Sequence, residues 1–498
     1  MPLSILARLP SATPAPPRRL PALIQGGMGV AVSGWRLARA VSTAGQLGVV
    51  SGTLLPVVLA RRLQLGDPGG ELRRALAAFP DPATSASLLA RYFIPGGKAP
   101  AAPFAAVPMP SATPSRHWLE LTVAANFTEV WLAKEGHDGP VGLNLLEKIQ
   151  TATLPSLYGA MLAGVDVVLM GAGIPRAIPG VLDDFAGGGA ASLALDVTGD
   201  SATGTTLRFD PADLLAAPPF RLRRPAFLAI VGSAALATTL ARKSTGQVDG
   251  FVVETNAAGG HNAPPRGIRT PGPDGQPVYG PRDEPELEKF RALGLPFWLA
   301  GERASPERLA AAQAAGAVGV QVGSAFAFCT ESGLDPALKA RVRALSRAGR
   351  VRIFTDPRAS PTGFPFKVLS LDDTLSEPAT YAAHPRRCDL GYLREPFRHA
   401  DGSLDYRCPA EPTDAYATKG GAGEATDGRK CLCNGLLAAV GLGQTRAARS
   451  PGEAAAPEPP ILTAGAETAN IARFLAPGAD DYSAREVIEH LLGSAARP

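Results

Sequence analysis

The chain has few aromatic residues and cysteines, no long apolar run and no dense basic tract, and these shortages limit the kinds of protein it can be. Aromatic residues make up 6% of its 498 residues, so we expect a core built mainly from Ala, Leu and Val. Five cysteines do not make a disulfide scaffold in a chain of this length. No apolar run reaches the roughly 18 residues of a membrane helix, and no dense Lys/Arg tract marks a nucleic-acid surface. We therefore expect neither a membrane protein nor a nucleic-acid binder.

The N-terminus and the common catalytic motifs add further exclusions. Residues 1–19 are rich in Pro and Ala and lack the continuous apolar core of a secretory signal, so we expect a flexible N-terminal segment and a cytoplasmic protein. The formal net charge is only +4. No P-loop, HExxH element or Ser-His-Asp order is present, which argues against those three catalytic classes.

Short apolar runs alternate with Ala/Leu-rich helical stretches over about 300 residues. Most of the runs are apolar at successive positions, as in parallel strands that are buried on both faces. The pattern predicts an α/β fold, a TIM (β/α)8 barrel, with a doubly wound open sheet as the competing architecture. The predicted strands are Ala22–Gln25, Gly48–Ser51, Val141–Asn144, Val167–Met170, Phe227–Val231, Phe251–Glu254, Phe297–Ala300 and Val320–Gly323.

Changes in composition divide the chain further. Around Gly199-Asp200 we expect an inserted hairpin, Ser192–Phe209, and Pro336–Ala348 and Ala472–Leu492 are predicted helices. The predicted parts are a barrel at 20–335 with a helical insertion at 66–139, a loop-rich, Cys-containing extension at 336–450, and a linker and C-terminal helix at 451–498.

Two glycine turns directly follow predicted strands. Gly26-Gly27 follows the first strand, and Gly259-Gly260 precedes His261 after the sixth. Because glycine has no Cβ, both turns allow a ligand to approach the backbone closely. Together they predict one flat, anionic cofactor held by backbone groups. His261 titrates near neutral pH, so we interpret it as a catalytic acid/base, with an ordinary loop histidine as the alternative.

A phosphate site is predicted where strands seven and eight end. Gly301 follows the seventh strand, and Gly323 and Ser324 follow the eighth. In TIM barrels the loops after these two strands commonly bind phosphate through backbone N–H groups. Ordinary tight turns are the alternative interpretation of the same residues.

Three further residues are candidate cofactor contacts. Gln25 and Met28 flank the first glycine turn, and Asn144 ends the third strand within an apolar run. Buried amides need hydrogen-bond partners, and a cofactor would provide them. The alternatives are a simple tight turn for Gln25 and Met28, and backbone partners for Asn144.

Five motifs together resemble the nitronate monooxygenase (2-nitropropane dioxygenase) family. They lie within about residues 20–332, and the related FMN-dependent enoyl-thioester reductases share much of the pattern. The resemblance implies a TIM barrel that binds FMN without a covalent link. The motifs are Ile24-Gln25-Gly26-Gly27-Met28-Gly29, Leu47-Gly48-Val49-Val50-Ser51-Gly52, Asn144, Ala258-Gly259-Gly260-His261 and Gly323-Ser324-Ala325-Phe326.

The resemblance also implies roles for individual residues. His261 would stand over the flavin ring as catalytic acid/base. One departure is Glu302, which stands where the family often has a second glycine, so it must point away from a phosphate or bind Arg303. The implied FMN-binding residues are Gln25, Gly26, Gly27, Met28, Asn144, Gly259 and Gly260 along the cofactor, with Gly301, Gly323 and Ser324 at its phosphate.

The reaction implied is oxidation of small alkyl nitronates or nitroalkanes with O2 to a carbonyl compound and nitrite. A second reading within the oxidoreductases is an NAD(P)H-dependent FMN reductase acting on an enoyl thioester or a quinone. A reading from another class is a metal- or partner-binding module at residues 355–435. The oligomeric state is open, a homo-oligomer included.

Four of the five cysteines fall in the extension, at Cys388, Cys408, Cys431 and Cys433. Four thiols in a loop-rich stretch suit tetrahedral zinc or an iron–sulfur cluster. The spacing is not that of a standard zinc finger, however, and redox-active or ordinary reduced thiols are the alternatives. Nearby Arg and Lys residues would favour thiolates.

Overall fold

Ten strands occupy the first two thirds of the chain, and eight of them form a closed parallel barrel. The computed structural model describes residues 20–199, 204–219, 221–267, 271–446 and 456–493, so the predicted flexible segment 1–19 lies outside the described residues. The strands are Leu23–Gln25 (β1), Leu47–Ser51 (β2), Val141–Leu146 (β3), Val167–Gly171 (β4), Ala191–Ala194 (β5), Thr206–Phe209 (β6), Ala226–Val231 (β7), Gly250–Glu254 (β8), Phe297–Ala300 (β9) and Gly319–Val322 (β10).

The barrel closes in the order β1-β10-β9-β8-β7-β4-β3-β2, with every neighbouring pair parallel. This confirms the predicted α/β class and TIM barrel, and closure rules out the open sheet. All eight predicted barrel strands are present, with ends that differ by no more than two residues. The antiparallel pair β5–β6 is the predicted hairpin, although Asp200 at its turn lies outside the described residues.

Helices follow most barrel strands and cover the outside of the barrel. Four helices lie between β2 and β3, in and just before the predicted helical insertion. The helices up to residue 327 are Trp35–Thr43 (α1), Leu55–Gln64 (α2), Glu71–Ala77 (α3), Pro82–Tyr92 (α4), Arg116–Lys134 (α5), Gln150–Leu162 (α6), Ile178–Ala186 (α7), Pro211–Leu214 (α8), Ala234–Lys243 (α9), Leu287–Arg291 (α10), Pro306–Ala314 (α11) and Ser324–Ala327 (α12).

Alternate strand residues fill the barrel interior. One buried cluster contains Ile24, Leu47, Val49, Leu169, Leu228, Val252, Trp298 and Ala300, each from a barrel strand and each pointing inward. Their sequence neighbours pack outward against the helices. Since successive strand residues face opposite sides, the inward residue next above Val252 is Glu254, and Gln321 is likewise inward on β10. The carboxyl end of the barrel therefore carries polar inward side chains.

The extension beyond residue 335 is loop-rich, with short helices and hairpins. The predicted helix at 336 is present, but the predicted helix Ala472–Leu492 is shorter, because Pro477-Gly478 separates a 3₁₀ turn from a final helix that begins at Ala484. Its elements are Pro336–Arg347 (α13), Ile353–Asp356 (β11), Phe366–Leu369 (β12), Pro378–Ala383 (α14), Glu395–Arg398 (β13), Leu404–Arg407 (β14), Thr413–Thr418 (α15), Leu432–Ala438 (α16), Thr445–Arg446 (β15), Ala456–Pro457 (β16) and Ala484–Leu492 (α17), with 3₁₀ helices at Gly423–Thr426 and Ala466–Phe474; a further 3₁₀ turn, Pro281–Asp283, precedes α10.

Nothing in the described part of the chain has the length and hydropathy of a membrane-spanning helix.

Candidate functional site

A cleft opens at the carboxyl ends of β1, β8, β9 and β10, the end of a TIM barrel that carries active sites. Its empty volume, including its mouth, is about 730 Å³. It brings together eight of the predicted cofactor-binding residues: Gly26, Gly27, Met28, Gly259, Gly260, Gly301, Gly323 and Ser324. Backbone and small side chains thus form much of its wall.

Three of these glycines, Gly27, Gly259 and Gly301, cannot be replaced without a collision. A Cβ on Gly27 would lie 2.3 Å from Cβ of Asn144, and a Cβ on Gly301 would lie 2.2 Å from Oγ1 of Thr255. Gly301 also has φ +94°, a left-handed conformation that other residues rarely adopt. At these positions the absent Cβ makes room for neighbouring protein atoms, and the cleft wall there is formed by backbone.

Arg303 lies at the predicted phosphate end of the cleft, and from the sequence we expected it only as a partner for Glu302. Arg303 lines the cleft, and its buried Nε has no hydrogen-bond partner. Burial lowers the pKa of its guanidinium. Glu302 turns toward Arg308, with 3.3 Å between Oε2 and Nη1, and so leaves Arg303 available for an anion. Glu302 still lines the cleft, but its carboxylate is paired with Arg308.

Ser324 at the same end is already engaged. Its Oγ accepts a hydrogen bond of 2.8 Å from the backbone N of Gly465. Thr463, Ala464 and Gly465 line the cleft beside it, although they lie about 140 residues further along the chain. Residues 463–465 therefore complete the cleft, and no sequence pattern near the barrel motifs predicts this contribution.

Gln25 does not line the cleft, contrary to the prediction. Its side chain points outward from β1, where Nε2 donates to Ser33 Oγ at 2.9 Å and Oε1 accepts from the backbone N of Val49 at 3.0 Å. Gln321 on β10 takes the inward position instead: it lines the cleft, and its buried Oε1 has no partner. An unpaired buried amide oxygen of this kind suits a hydrogen-bond donor on a bound cofactor.

Asn144 and Met28 differ in their relation to the cleft. Met28 lines it, and its backbone N donates to Ser33 Oγ at 3.0 Å. Asn144 stands in register with Ser51 on β2 and lies behind Gly27, outside the cleft lining. Asn144 thus supports the glycine turn from beneath.

His261 faces a second cavity beside the cleft, whose empty volume, including its mouth, is about 940 Å³. Its Nε2 lies 2.6 Å from Ser360 Oγ, and its ring centre lies 4.8 Å from that of Phe366. Burial lowers the pKa of His261 to about 4, so its imidazole is neutral at pH 7. Its neighbours are Ser360, Phe364 and Phe366, all from the extension.

The extension also fixes the loop before His261. Lys367 N donates to the carbonyl of Gly260 at 2.9 Å, and Gly260 N donates to Thr463 Oγ1 at 2.9 Å. Gly260 has φ +81°, so it can make this turn without strain. The position of the histidine therefore depends on residues more than 100 positions away in sequence.

Glu254 connects the two cavities and received no role from the sequence. It ends β8, and it is the one residue that lines both the cleft and the His261 cavity, among the residues described for each. Burial raises the pKa of its carboxyl to about 8. The signal was present in the sequence as a carboxylate that ends an apolar strand.

The four cysteines of the extension line one small cavity together. Within the described residues, however, no group of three or more His, Cys, Asp or Glu side chains is placed to hold a metal ion, so the zinc and iron–sulfur predictions lose their support. Burial raises the pKa of Cys431 to about 12, and the pKa values of Cys408 and Cys433 are also raised. Only Cys388 has a lowered pKa, because the Cys408 thiol donates a hydrogen bond to it. Three of the four thiols are thus protonated near neutral pH, contrary to our expectation from the nearby cations.

Comparison with known proteins yields structural similarities alone. No protein-family model matches the chain, and no curated protein matches it significantly. Solved structures to which it is similar include FabK from Thermotoga maritima, at 17% identity and TM-score 0.44 over 95% of this chain and 91% of that chain. Nitroalkane oxidase from Streptomyces ansochromogenes is similar at 15% identity and TM-score 0.44, over 95% of this chain and 94% of that chain. The enoyl reductase domain of MlnA from the macrolactin biosynthesis cluster of Bacillus amyloliquefaciens is similar at 13% identity and TM-score 0.37, over 72% of this chain and 68% of that chain. Similarities at this level carry no inference about the reaction.

Proposed function

We propose that the protein is an FMN-dependent oxidoreductase that oxidises small alkyl nitronates or nitroalkanes. The observation that carries the proposal is the glycine-walled cleft at the carboxyl end of the barrel, which adjoins the cavity of a neutral, buried histidine. The sequence motifs that resemble nitronate monooxygenases supply nine residues of that cleft.

The residues present suit FMN on chemical grounds. Arg303 and the backbone at Gly301 and Gly323 would hold the phosphate, since a guanidinium and open N–H groups are ordinary phosphate partners. The backbone wall at Gly26-Gly27 leaves room for the ring system, and the unpaired Oε1 of Gln321 would accept a hydrogen bond from the cofactor. Bound FMN would supply the electron acceptor and the contact with O2.

The remaining chemistry belongs to the protein. For a neutral nitroalkane, the neutral imidazole of His261 removes the α-proton, and Ser360 Oγ at 2.6 Å from Nε2 orients the ring. Phe364 and Phe366 restrict water around the imidazole and favour the uncharged base. For a preformed nitronate no proton has to be removed.

The test is turnover of nitroethane and of ethyl nitronate, followed by nitrite release, in wild type and in His261→Ala. We expect His261→Ala to retain FMN and to lose at least 100-fold in turnover of nitroethane, with a smaller loss on the nitronate. Wild-type turnover of nitroethane by the variant would remove His261 from the mechanism. Rapid reduction of the wild-type flavin by NAD(P)H, without reduction by nitronate, would instead identify an NAD(P)H-dependent reductase.

A further inference from the structure

Glu254 is placed where it can reach both parts of the proposed site. It follows Val252 by two positions on β8, so it points into the barrel like Val252 and stands at the carboxyl end of the interior. Its register partner is Ala300 on β9. It lines the cleft on one side and the His261 cavity on the other. A substrate held between cofactor and histidine would lie against this side chain.

The carboxyl group of Glu254 has no partner of its own. Among the described residues it makes neither a hydrogen bond nor an ion pair. Burial alone raises its pKa to about 8, and no neighbouring charge contributes to the shift. This holds although charged groups line the two cavities with it, namely Arg266, Asp283, Glu302, Arg303 and Glu467.

Burial shifts the pKa values of Glu254 and His261 in opposite directions. Burial raises the pKa of the carboxyl and lowers that of the imidazole to about 4, so at pH 7 both groups are neutral. The carboxyl then carries a proton to donate, and the imidazole has a lone pair to accept one. Two titratable groups whose pKa values are pushed apart in one site are the usual mark of an acid and a base.

We propose that Glu254 is a catalytic residue that donates a hydrogen bond, as a neutral carboxylic acid, to the substrate oxygen on which negative charge develops. The proposal rests on the proposed function and deepens it. In nitroalkane oxidation, the α C–H bond breaks, its proton passes to His261, and its electron pair moves into the nitro group. The Glu254 O–H stays intact and stabilises the oxygen that becomes negative. An ionised carboxylate at this position would repel the nitronate.

The substrate class that follows is a carbon acid whose conjugate base carries its charge on oxygen. A nitroalkane, giving a nitronate, is the member that the proposed function names. An enoyl thioester, which gives an enolate on reduction, has the same requirement for a donor at the oxygen. Rates measured with a nitroalkane and with an enoyl thioester distinguish between these two substrates.

The first arm of the test observes the carboxyl group directly in the protein as purified. Infrared difference spectra of wild type against Glu254→Gln, recorded at pH 7, should contain the band of a protonated carboxylic acid that the variant lacks. The matched control is Glu147→Gln, which removes another glutamate with a raised pKa that lines neither cavity. A wild type without that band, or a band removed only by Glu147→Gln, would overturn the proposal.

The second arm measures catalysis. Glu254→Leu should lower kcat/KM for nitroethane by about 100-fold or more, whereas Glu254→Gln, which keeps an N–H donor, should stay within about tenfold of wild type. The loss in Glu254→Leu should be smaller with preformed ethyl nitronate, because there the charge does not develop during the reaction. FMN content is measured in each variant, so that a folding or loading defect is recognised.

The outcomes separate this inference from the proposed function. Equal loss in the Leu and Gln variants, or wild-type rates in Glu254→Leu, would overturn the role of Glu254 while leaving nitronate oxidation in place. A wild type that oxidises neither nitroethane nor ethyl nitronate would refute the proposed function. In that case the infrared band, and the same variants assayed on an enoyl thioester with NAD(P)H, still decide the role of Glu254.

Discussion

Replacing Glu254 by glutamine should stabilise the protein, and the gain should grow with pH. The folded state raises the pKa of this carboxyl from its model value of 4.5 to about 8. Because its pKa is higher in the folded state, the protonated carboxyl favours folding. This contribution to the free energy of unfolding is full below pH 4.5, where the group is protonated in both the folded and the unfolded state, and it is lost as pH rises toward 8. Glutamine occupies the same space without titrating and suffers no such loss.

The magnitude follows from the size of the shift. Each pH unit between the two pKa values is worth about 1.36 kcal/mol. At pH 7 the wild-type penalty relative to glutamine is therefore about 3 kcal/mol, and near pH 5 it is below about 1 kcal/mol. His261 also titrates with a lowered pKa, but it is present in both proteins and cancels in the difference.

The assay is urea denaturation of both proteins at pH 5, 6, 7 and 8, followed by the fluorescence of the four tryptophans. Equal m-values would show that the difference lies in stability rather than in the extent of unfolding. Glu302→Gln is the control, because its carboxylate is paired with Arg308 and its loss should bring no gain. A difference between Glu254→Gln and wild type that is flat from pH 5 to pH 8 would refute the buried, neutral carboxyl.

Three further predictions concern the cleft and the cysteines. Gly27→Ala should weaken FMN binding by at least tenfold, because the added methyl would meet Asn144 Cβ at 2.3 Å and displace the glycine turn; fluorescence titration with FMN measures it, and unchanged affinity would contradict a role of this turn in binding. Arg303→Met should raise the FMN dissociation constant by about 10-fold to 100-fold, whereas Arg308→Met, outside the cleft lining, should change it less than threefold; equal effects would remove Arg303 from the phosphate site. Cys388 should react first with iodoacetamide at pH 8, as its thiol alone in its cluster has a lowered pKa; mass spectrometry that finds another of the four labelled first would contradict this.

The barrel could be predicted because its strands are buried on both faces, so that nearly every residue of each run is apolar. The glycine turns could be predicted for a related reason, since Asn144 and Thr255 leave no room for a Cβ at Gly27 and Gly301. Both are local patterns, readable within ten residues of sequence. Local patterns also predicted the hairpin β5–β6 and the helix that begins at Pro336.

The errors came from information that a local pattern does not contain. The strand β1 has only three residues, too few for its alternation to show which face Gln25 is on, so Gln25 was predicted as a cofactor contact although its side chain points outward. Gln321 holds the inward position on β10. Ser360 and Gly465 reach the site from about 100 and 140 residues beyond the motifs they contact, and only the folded chain brings them there. Four cysteines in one loop-rich stretch do line a common cavity, but the hydrogen bond of Cys408 to Cys388 and the burial of Cys431 and Cys433 raise the pKa values of three of the thiols.

The most direct test of the account is the ultraviolet–visible spectrum of the purified protein, repeated after denaturation with identification of any released cofactor. The account predicts flavin absorption bands and release of FMN, about one per chain, with loss of those bands in Arg303→Met at low FMN concentration. A colourless protein that cannot take up added FMN would contradict it, because the glycine-walled cleft, His261 and Glu254 have been given roles only around that cofactor.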